Sequence, residues 1–401
     1  MKVPWNRREF IAKPLALLAA SRLLGKAQLL HAATAPNPDI IHRTLGRTGI
    51  SLPVISMGVM NASIPGVVRR AYELGIRHFD TAARYQDGRN EEMLGSVIKE
   101  LGVRNQVTIA TKIFIPAPKR RDSDVKAQMR QIFEGSLKRL QMDHVDIVYF
   151  HAVDDAEDVH AEGPLELLSA LKKEGLARFI GISTHSHADQ VLNAMTRLGA
   201  HDVALVGFNY TMSENKELLD AIAQASKHGI GIVAMKTQAG GTIKPDPKLP
   251  KALPPFSQTA LLKWVLQNPA ITTAIPGVTN FDQLEQNFSV TSGLAYTPDE
   301  KSFLADKEIK AQVEFCQQCG QCRADCPKRV EIPELMRAHM YALQYANYEH
   351  AYRTLAAVPP AAGLQACAGC ATCSASCRHA VNIARKIAEL KQILPAHECR
   401  A

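Results

Sequence analysis

Eight short apolar segments alternate with amphipathic stretches along the chain, and this alternation limits the possible folds more than any other feature. The segments lie at 54–58, 77–80, 107–112, 145–151, 177–183, 203–209, 231–235 and 272–275. Strands that alternate with helices are typical of a parallel sheet, because each helix returns the chain to the start of the next strand. Eight such units within roughly 240 residues predict an α/β chain with a closed (β/α)8 TIM barrel. An open doubly wound sheet is the alternative, but no Gly-x-Gly-x-x-Gly motif follows the first strand.

Three of the predicted strands end in titratable side chains. The segment Phe79–Tyr85 brings Asp80 and Tyr85, the next strand ends at Lys112, and the one after it ends at His151. The carboxyl ends of barrel strands meet at one rim, so we expect these four side chains to lie together.

This set of side chains suits proton transfer to a carbonyl group. A phenol has a pKa near 10, so Tyr85 is a weak acid at neutral pH unless a cation stabilises its anion. Lys112 can supply that cation, Asp80 can keep the lysine charged, and His151 can hydrogen-bond the carbonyl oxygen. The alternative is a set of rim residues that only satisfy one another structurally.

The motif Asp80-Thr-Ala-x-x-Tyr85, followed by Glu91-Glu-Met-Leu-Gly95, resembles the signature of the aldo-keto reductases. The segment Arg43–Gly49 is similar to the N-terminal hairpin of that family. The resemblance implies a barrel that binds NAD(P)H at its C-terminal face. It also implies hydride transfer that interconverts a small carbonyl compound and an alcohol. In this family the corresponding tyrosine is the acid/base catalyst, and the aspartate, lysine and histidine tune it and orient the substrate.

The same resemblance implies cofactor-binding residues at later strand ends and at one turn. They are Ser183, Thr184, Asn209, Met235, Lys236, Pro276, Gly277, Thr279, Gln283 and Asn287. Where NADPH-selective members carry lysine or arginine, this chain has Gly277 and Gln283, which leaves both NADH and NADPH open as the cofactor. Lys236 and Lys244, in a long loop at 236–255, are candidates to compensate. We expect His185 and His187, which open the following helix, to lie on the surface.

Eight of the nine cysteines form two runs near the C-terminus, each with the spacing Cys-x2-Cys-x2-Cys-x3-Cys. The runs are Cys316, Cys319, Cys322 and Cys326, and then Cys367, Cys370, Cys373 and Cys377. This spacing is typical of [4Fe–4S] ligation, and in two-cluster ferredoxins the fourth cysteine of each run binds the other cluster. Zinc is the alternative, but the x3 step repeated in both runs fits zinc poorly. We therefore predict two [4Fe–4S] clusters, with Cys399 outside both.

The cysteine region resembles the small α-helical ferredoxin-like domain that a subset of aldo-keto reductases carries. The sequence predicts helices at 334–355 and 381–394 in this region. The tyrosines at 341, 345, 348 and 352 are expected to pack around the clusters. A capping motif at 297–300 places the end of the barrel, so we predict a barrel domain at 40–305 and a cluster domain at 306–401.

The N-terminal segment differs from the rest in charge and hydropathy. Residues 1–35 carry most of the formal net charge of +8, and Arg7-Arg8 precedes mildly apolar residues. This pattern resembles a twin-arginine export signal and predicts a periplasmic protein, with a basic cytoplasmic leader as the alternative. No run approaches the ~20 apolar residues that span a bilayer, so no stable membrane insertion is expected after signal removal. The remaining charge is too small to predict nucleic-acid binding.

Three functions fit these features. In the first, the barrel is an aldo-keto oxidoreductase whose clusters relay electrons to or from a separate redox partner protein. In the second, the same enzyme has purely structural clusters. In the third, the chain is a non-catalytic electron-transfer or binding module. The four rim residues favour an enzyme, whereas nothing in the sequence selects the substrate.

Overall fold

A computed structural model describes residues 39–240, 254–306, 313–370 and 372–393. From residue 39 onward, the described chain forms one compact unit. The predicted export signal at 1–35, Lys244 and Cys399 lie outside the described residues. In the part that is described, no helix has the length and apolar character to cross a membrane.

Eight parallel strands form the centre of the unit, and each pairs with the next one along the chain. They are β3 Met57–Gly58, β4 His78–Asp80, β5 Thr108–Ile113, β6 Val145–Phe150, β7 Ala177–Thr184, β8 Val203–Gly207, β9 Gly231–Met235 and β10 Ile271–Ala274. Parallel bridges between Ile55 and Ala274 and between Gly58 and Gly277 join the first strand to the last. The predicted (β/α)8 barrel is therefore confirmed.

Helices surround the barrel and bury their apolar faces against the strands. They are α1 Pro65–Leu74, α2 Arg89–Leu101, α3 Val125–Leu140, α4 Glu162–Lys173, α5 Ala188–Leu198, α6 Lys216–Lys227, α7 Ser257–Gln267, α8 Phe281–Phe288 and α9 Pro298–Ala305. Gly75 closes α1 with φ 118° and Gly229 follows α6 with φ 83°. Glycine adopts these angles without steric penalty, which explains the abrupt passage from helix to strand.

A two-stranded hairpin, β1 His42–Thr44 with β2 Ser51–Pro53, closes the bottom of the barrel. Leu45 and Leu52 are buried against residues that point into the barrel, including Ile147 and Val233. The hairpin therefore leaves only the opposite end of the barrel open, where the strands terminate in polar residues.

The C-terminal region contains α10 Ile332–His339, α11 Tyr348–Ala356 and α12 Ile383–Ile393. The prediction of one helix over 334–355 is wrong, because a π-helical turn at Met340–Gln344 follows α10 and the chain then breaks. Ala346 adopts a left-handed φ of 52°, and the Asn347 side chain caps α11 by accepting from the His350 N–H at 3.0 Å. Sequence periodicity continues across this break, which is why the pattern suggested a single helix.

Residues 332–357, which we call the roof, cover the open end of the barrel. Arg89 contacts Glu349 at 3.0 Å, and Asn347 donates to Asn61 at 3.0 Å. Arg353 forms a further ion pair with Asp87. The roof is thus tied to the loops that follow the first barrel strands, and the proposed boundary at 305 stays a prediction.

Candidate active site at the mouth of the barrel

A cavity of about 120 Å³ lies between the strand ends and the roof. We call it the mouth cavity. The strand side of its wall includes Asp80, Tyr85, His151, Met235 and Lys236. The roof contributes Arg337, Tyr341, Tyr345 and His350. The C-terminal region therefore forms part of the same enclosure as the predicted rim residues.

Lys112 occupies the centre of a buried polar group beneath this cavity. Its Nζ lies 3.3 Å from Tyr85 Oη, donates to the Thr81 carbonyl at 2.6 Å and pairs with Asp80. The Lys112 and Asp80 side chains are 1% and 3% exposed. β4 and β5 are adjacent parallel strands, so the aspartate at the end of one reaches the lysine at the end of the other.

A tight left-handed turn fixes the position of Tyr85. Gln86, Asp87 and Gly88 all have positive φ angles, of 51°, 56° and 85°. The turn directs the phenol back toward Lys112, before α2 begins at Arg89. Asp87 and Gly88 favour this geometry, because aspartate and glycine tolerate the left-handed region better than most residues.

Burial controls the ionisation of the group. It raises the pKa of Tyr85 well above its usual value, and Asp80 raises it further. Burial lowers the pKa of Lys112, while the adjacent Asp80 carboxylate opposes that change. The phenol is therefore protonated in the resting protein, and the ammonium lies 3.3 Å from its oxygen, where it can stabilise the anion.

His151 follows β6 and lies beside the phenol, with ring centroids 6.1 Å apart in an edge-to-face arrangement. Burial lowers its pKa well below the usual value, and the Lys112 and Arg84 cations add to this effect. The imidazole is thus neutral at pH 7. Its Nδ1 is buried without a hydrogen-bond partner. A neutral ring carries one N–H, and with Nδ1 buried we expect Nε2 to be the nitrogen that meets a ligand in the cavity.

The predicted cofactor residues at the end of β7 and just after β8 have side chains that bond within the protein. Ser183 Oγ accepts from the Ala152 N–H at 3.0 Å, and Thr184 Oγ1 donates to Asp154 at 3.0 Å. The Asn209 amide caps the next turn and donates to the Lys236 carbonyl at 3.2 Å. Ser183, Thr184 and Asn209 are fully buried and none lines the mouth cavity. Their assignment to the cofactor stays a prediction.

A second cavity of about 250 Å³, which we call the turn cavity, adjoins the first. Its wall includes five more of the predicted cofactor positions, which are Pro276, Gly277, Thr279, Gln283 and Asn287. Asn280 caps α8 by accepting from the Gln283 N–H at 2.9 Å, so this helix starts directly after the turn that contains Pro276, Gly277 and Thr279. Among the described residues, the wall carries one charged side chain, Lys236.

Lys236 lines both cavities and a third, smaller one beside Cys316. Its Nζ donates to Tyr341 Oη at 3.3 Å. Burial lowers the pKa of Lys236 to about 7, and the nearby Arg337 contributes to the fall. The residue thus connects the predicted substrate and cofactor spaces with the cysteine region.

Several wall residues were not predicted. His185 lines the mouth cavity, so the expectation that it lies on the surface is wrong, whereas His187 is exposed. Tyr341 and Tyr345 also line that cavity, and Tyr348 is 47% exposed. The roof residues are far in sequence from the strand ends that they cover, so no local pattern indicates that they line this cavity. For His185, its place directly after a strand was the available clue.

The eight cysteines are all free thiols, and electrostatic contacts divide them into two groups. Burial raises the pKa of Cys316 to about 12, and the thiols of Cys377, Cys322 and Cys319 add to the rise. Cys367 interacts in the same way with Cys326, Cys370 and Cys373. Each group therefore joins three cysteines of one run to the fourth cysteine of the other. Within the described ranges, no three His, Cys, Asp or Glu side chains are close enough to hold a single metal ion.

Hydrogen bonds join the two runs at their fourth cysteines. Ser376 Oγ donates to the Asp325 carboxylate at 2.6 Å, and Ser374 Oγ donates to the Asp325 carbonyl at 2.9 Å. Lys391 on α12 donates to the Cys367 carbonyl at 2.9 Å. These contacts keep the two runs together.

Comparison with known proteins gives consistent matches over the barrel. Residues 61–304 match the sequence model described as the aldo/keto reductase family. L-Galactose dehydrogenase of Arabidopsis thaliana is 28% identical over 306 residues, covering 68% of this chain and 92% of that protein. Methylglyoxal reductase DkgB of Escherichia coli O157:H7 is 28% identical over 263 residues, covering 64% of this chain and 93% of that protein.

Solved structures agree with the fold. The holo form of aldo-keto reductase AKR11C1 from Bacillus halodurans has a TM-score of 0.56 at 22% identity, covering 69% of this chain and 97% of that one. An aldo/keto reductase from Klebsiella pneumoniae, in complex with NADP and acetate, has a TM-score of 0.51 at 21% identity. That match covers 66% of this chain and 93% of the Klebsiella chain.

Proposed function

The chain belongs to the aldo/keto reductase family, and from that premise we propose that its barrel interconverts a small carbonyl compound and an alcohol using NAD(P)H. The observation that carries this proposal is the contact of Lys112 Nζ with both Asp80 and Tyr85 Oη below the mouth cavity. When bound, the nicotinamide supplies or accepts the hydride.

The protein's own residues handle the proton. Tyr85 donates its phenolic proton to the carbonyl oxygen, and the Lys112 ammonium stabilises the phenolate that remains. Asp80 favours the charged form of Lys112 and holds its Nζ in place. His151, being neutral, donates one hydrogen bond to the same carbonyl oxygen and so fixes its position beside the phenol.

Replacing Tyr85 with phenylalanine tests the proton step. We expect NAD(P)H-dependent aldehyde reduction to fall by about 10² to 10⁴ or more, since the proton donor is lost. Tyr72→Phe, which removes an exposed phenol that donates to Gln106, is the matched control. Full turnover in Tyr85→Phe together with an unchanged far-UV spectrum would refute the assignment.

For the cofactor, we propose that the mouth and turn cavities together receive NAD(P)H. Lys236 and Gly277 line both cavities, Met235 lines the mouth cavity, and the turn cavity borders the start of α8, a position that favours a phosphate. The Klebsiella relative is described in complex with NADP, which supports the same class of cofactor here. Fluorescence titration of wild-type protein with NADH and NADPH tests this, and the absence of binding by either would overturn it.

We further propose two [4Fe–4S] clusters, each held by three cysteines of one run and the fourth of the other. The two electrostatic groups of thiols and the Ser376–Asp325 hydrogen bond support this crossed arrangement. A cubane separates its four thiolates more widely than one metal ion does, so the lack of a single-ion site is compatible with it.

Iron and sulfide analysis of anaerobically reconstituted protein tests the clusters. Cys326→Ser and Cys377→Ser should each lose one ligand from a different cluster, giving two distinguishable electron paramagnetic resonance changes. Ser374→Ala, which leaves every thiol in place, is the control. Zinc binding with no iron uptake would refute the proposal.

A relay role for the clusters rests on the shared wall beside Cys316. His185, Lys236 and Arg337 line both the mouth cavity and the small cavity that reaches Cys316. We propose that electrons pass through this region to or from a separate redox partner, since a cubane carries electrons singly. Anaerobic addition of NADH or NADPH should then bleach the cluster absorbance. An unchanged spectrum alongside aldehyde turnover would instead favour structural clusters.

Export by a twin-arginine route is our proposal for the location of the protein. It rests on Arg7-Arg8 and the apolar residues that follow in the sequence. Residues 1–40 fused to a folded reporter should direct it to the periplasm, and changing both arginines to lysine should stop this. Cytoplasmic retention of the unaltered fusion would favour the alternative of a basic leader.

A further inference from the structure

Arg84 stands out among the charged side chains on the wall of the mouth cavity. Asp80 is bonded to Lys112, Arg337 pairs with Glu334, and Lys236 donates to Tyr341 Oη, so each of those side chains has a partner. Within the described ranges, Arg84 has no carboxylate at ion-pair distance and donates no hydrogen bond. The cavity therefore has an unmatched guanidinium directly beside the phenol of Tyr85.

Stacking on an aromatic ring holds this guanidinium in one orientation. Its central carbon lies 3.9 Å from the centroid of the Phe114 ring. Phe114 in turn packs edge-to-face against His151, at a centroid distance of 6.1 Å. The side chain is thus positioned by the same aromatic group that surrounds the catalytic histidine, and its planar N–H edge remains available to a ligand.

Other partly or fully buried arginines in the described chain have acceptors. Arg43 donates to three backbone carbonyls, Arg104 pairs with Asp146 at 2.9 Å, and Arg120 pairs with Asp158 at 2.7 Å. Burial lowers the pKa of Arg84, and the nearby Arg337 lowers it further. An arginine remains charged in proteins, so a buried one without an acceptor is unfavourable until an anion binds.

We propose that the substrate of this site is a small carbonyl compound that also carries a carboxylate, and that Arg84 binds this carboxylate. A guanidinium offers two parallel N–H groups that match a carboxylate in geometry and in charge. The inference rests on the proposed carbonyl oxidoreductase activity, because it assigns a substrate class to the same cavity.

Matched acids and amides test the inference. The assay uses the three carboxybenzaldehyde isomers and the corresponding formylbenzamides, because the ring position varies the distance from the carbonyl to the charge. For at least one isomer, Arg84→Gln should lower kcat/KM for the acid by about tenfold to a hundredfold, mainly through KM. The same substitution should change kcat/KM for the corresponding amide by less than about twofold. Arg84→Lys should retain part of the preference for the acid.

A binding measurement separates this inference from the proposed activity. Calorimetric titration with benzoate, benzamide and phenylphosphonate compares wild type, Arg84→Gln and the surface control Arg69→Gln. Benzoate binding that depends on Arg84, with benzamide unaffected, supports the carboxylate site even if no aldehyde is reduced. In that case the proposed activity alone fails.

Three results would overturn the inference. The first is benzoate binding that is equal in wild type and Arg84→Gln. The second is a parallel loss of acid and amide turnover, which would mean that the substitution only disturbs Tyr85. The third is Arg84-dependent binding of phenylphosphonate that is tighter than that of benzoate, because this would assign the site to phosphate-bearing compounds.

Discussion

Replacing Lys112 with methionine removes the ammonium that pairs with Asp80 and contacts Tyr85. The Asp80 carboxylate would remain in place with only 3% of its side chain exposed. One of its oxygens, Oδ2, already lacks a hydrogen-bond partner, so no donor stands ready to replace the ammonium at that atom. Removing one partner of a buried ion pair costs about 3–5 kcal/mol, a large part of the ~5–15 kcal/mol that stabilises a typical protein.

The double variant Asp80→Asn/Lys112→Met removes both charges and serves as the comparison. Neutral replacement of a buried pair is often close to neutral in stability, so we expect it to lie within about 1–2 kcal/mol of wild type. In urea unfolding followed by circular dichroism, the single variant should have a midpoint lower by roughly 1 M or more. Both variants should lose aldehyde turnover, because neither provides a cation to Tyr85.

Two results would refute this reasoning. Equal urea midpoints for the single and double variants would mean that the buried Asp80 carboxylate is not destabilising when Lys112 is absent. Full turnover in the double variant would mean that the ammonium does not make Tyr85 an effective acid. Lys99→Met, on the surface of α2, controls for the loss of a lysine and should change stability by no more than about 0.5 kcal/mol.

Three further predictions concern the cofactor and the roof. The pKa of Lys236 is lowered to about 7, so its charge is present below that pH and lost above it. NAD(P)H affinity by fluorescence titration should therefore fall from about pH 6 to about pH 8, and Lys236→Met should abolish this dependence. Since Lys236 is the single charged residue on the described wall of the turn cavity, KM values for NADH and NADPH should differ by less than about tenfold; a hundredfold preference would contradict this. Asn347→Ala removes the cap of α11 and the bond to Asn61, so thermal unfolding should show a loss of about 1 kcal/mol, with faster hydrogen exchange in the roof. An unchanged hydrogen-exchange rate in the roof would mean that the Asn347 cap does not stabilise it.

The barrel and its rim could be predicted because the relevant signals are local. Each strand is an apolar run, three of the runs end in titratable side chains, and parallel strands place all their ends on one face. Asp80 and Lys112 therefore meet although 32 residues separate them. The hairpin that closes the bottom follows from a turn at Thr48–Gly49, and Leu45 is buried as this position requires.

The roof could not be predicted because its contacts are made across the whole chain. Arg89 and Glu349 are 260 positions apart, and nothing in either segment indicates the other. The break at Ala346 has only a weak local signal, the capping residue Asn347, because alanine is a strong helix former and its left-handed φ is set by the surrounding packing. Arg84 was overlooked for a related reason: its lack of an acceptor is visible only when the described residues are placed in space.

The roof bears on the chemistry of the barrel whatever role the clusters have. Burial is the largest cause of the raised pKa of Tyr85 and of the lowered pKa of His151. Part of that burial comes from the roof, because the His350 ring packs 6.0 Å from the Tyr85 ring, and His350 and Arg337 also lower the pKa of His151 directly. A barrel without the roof would have a more hydrated phenol and an imidazole closer to its ordinary pKa. The C-terminal region therefore bears on the proposed proton transfer at the mouth cavity, because it sets part of the burial of Tyr85 and His151.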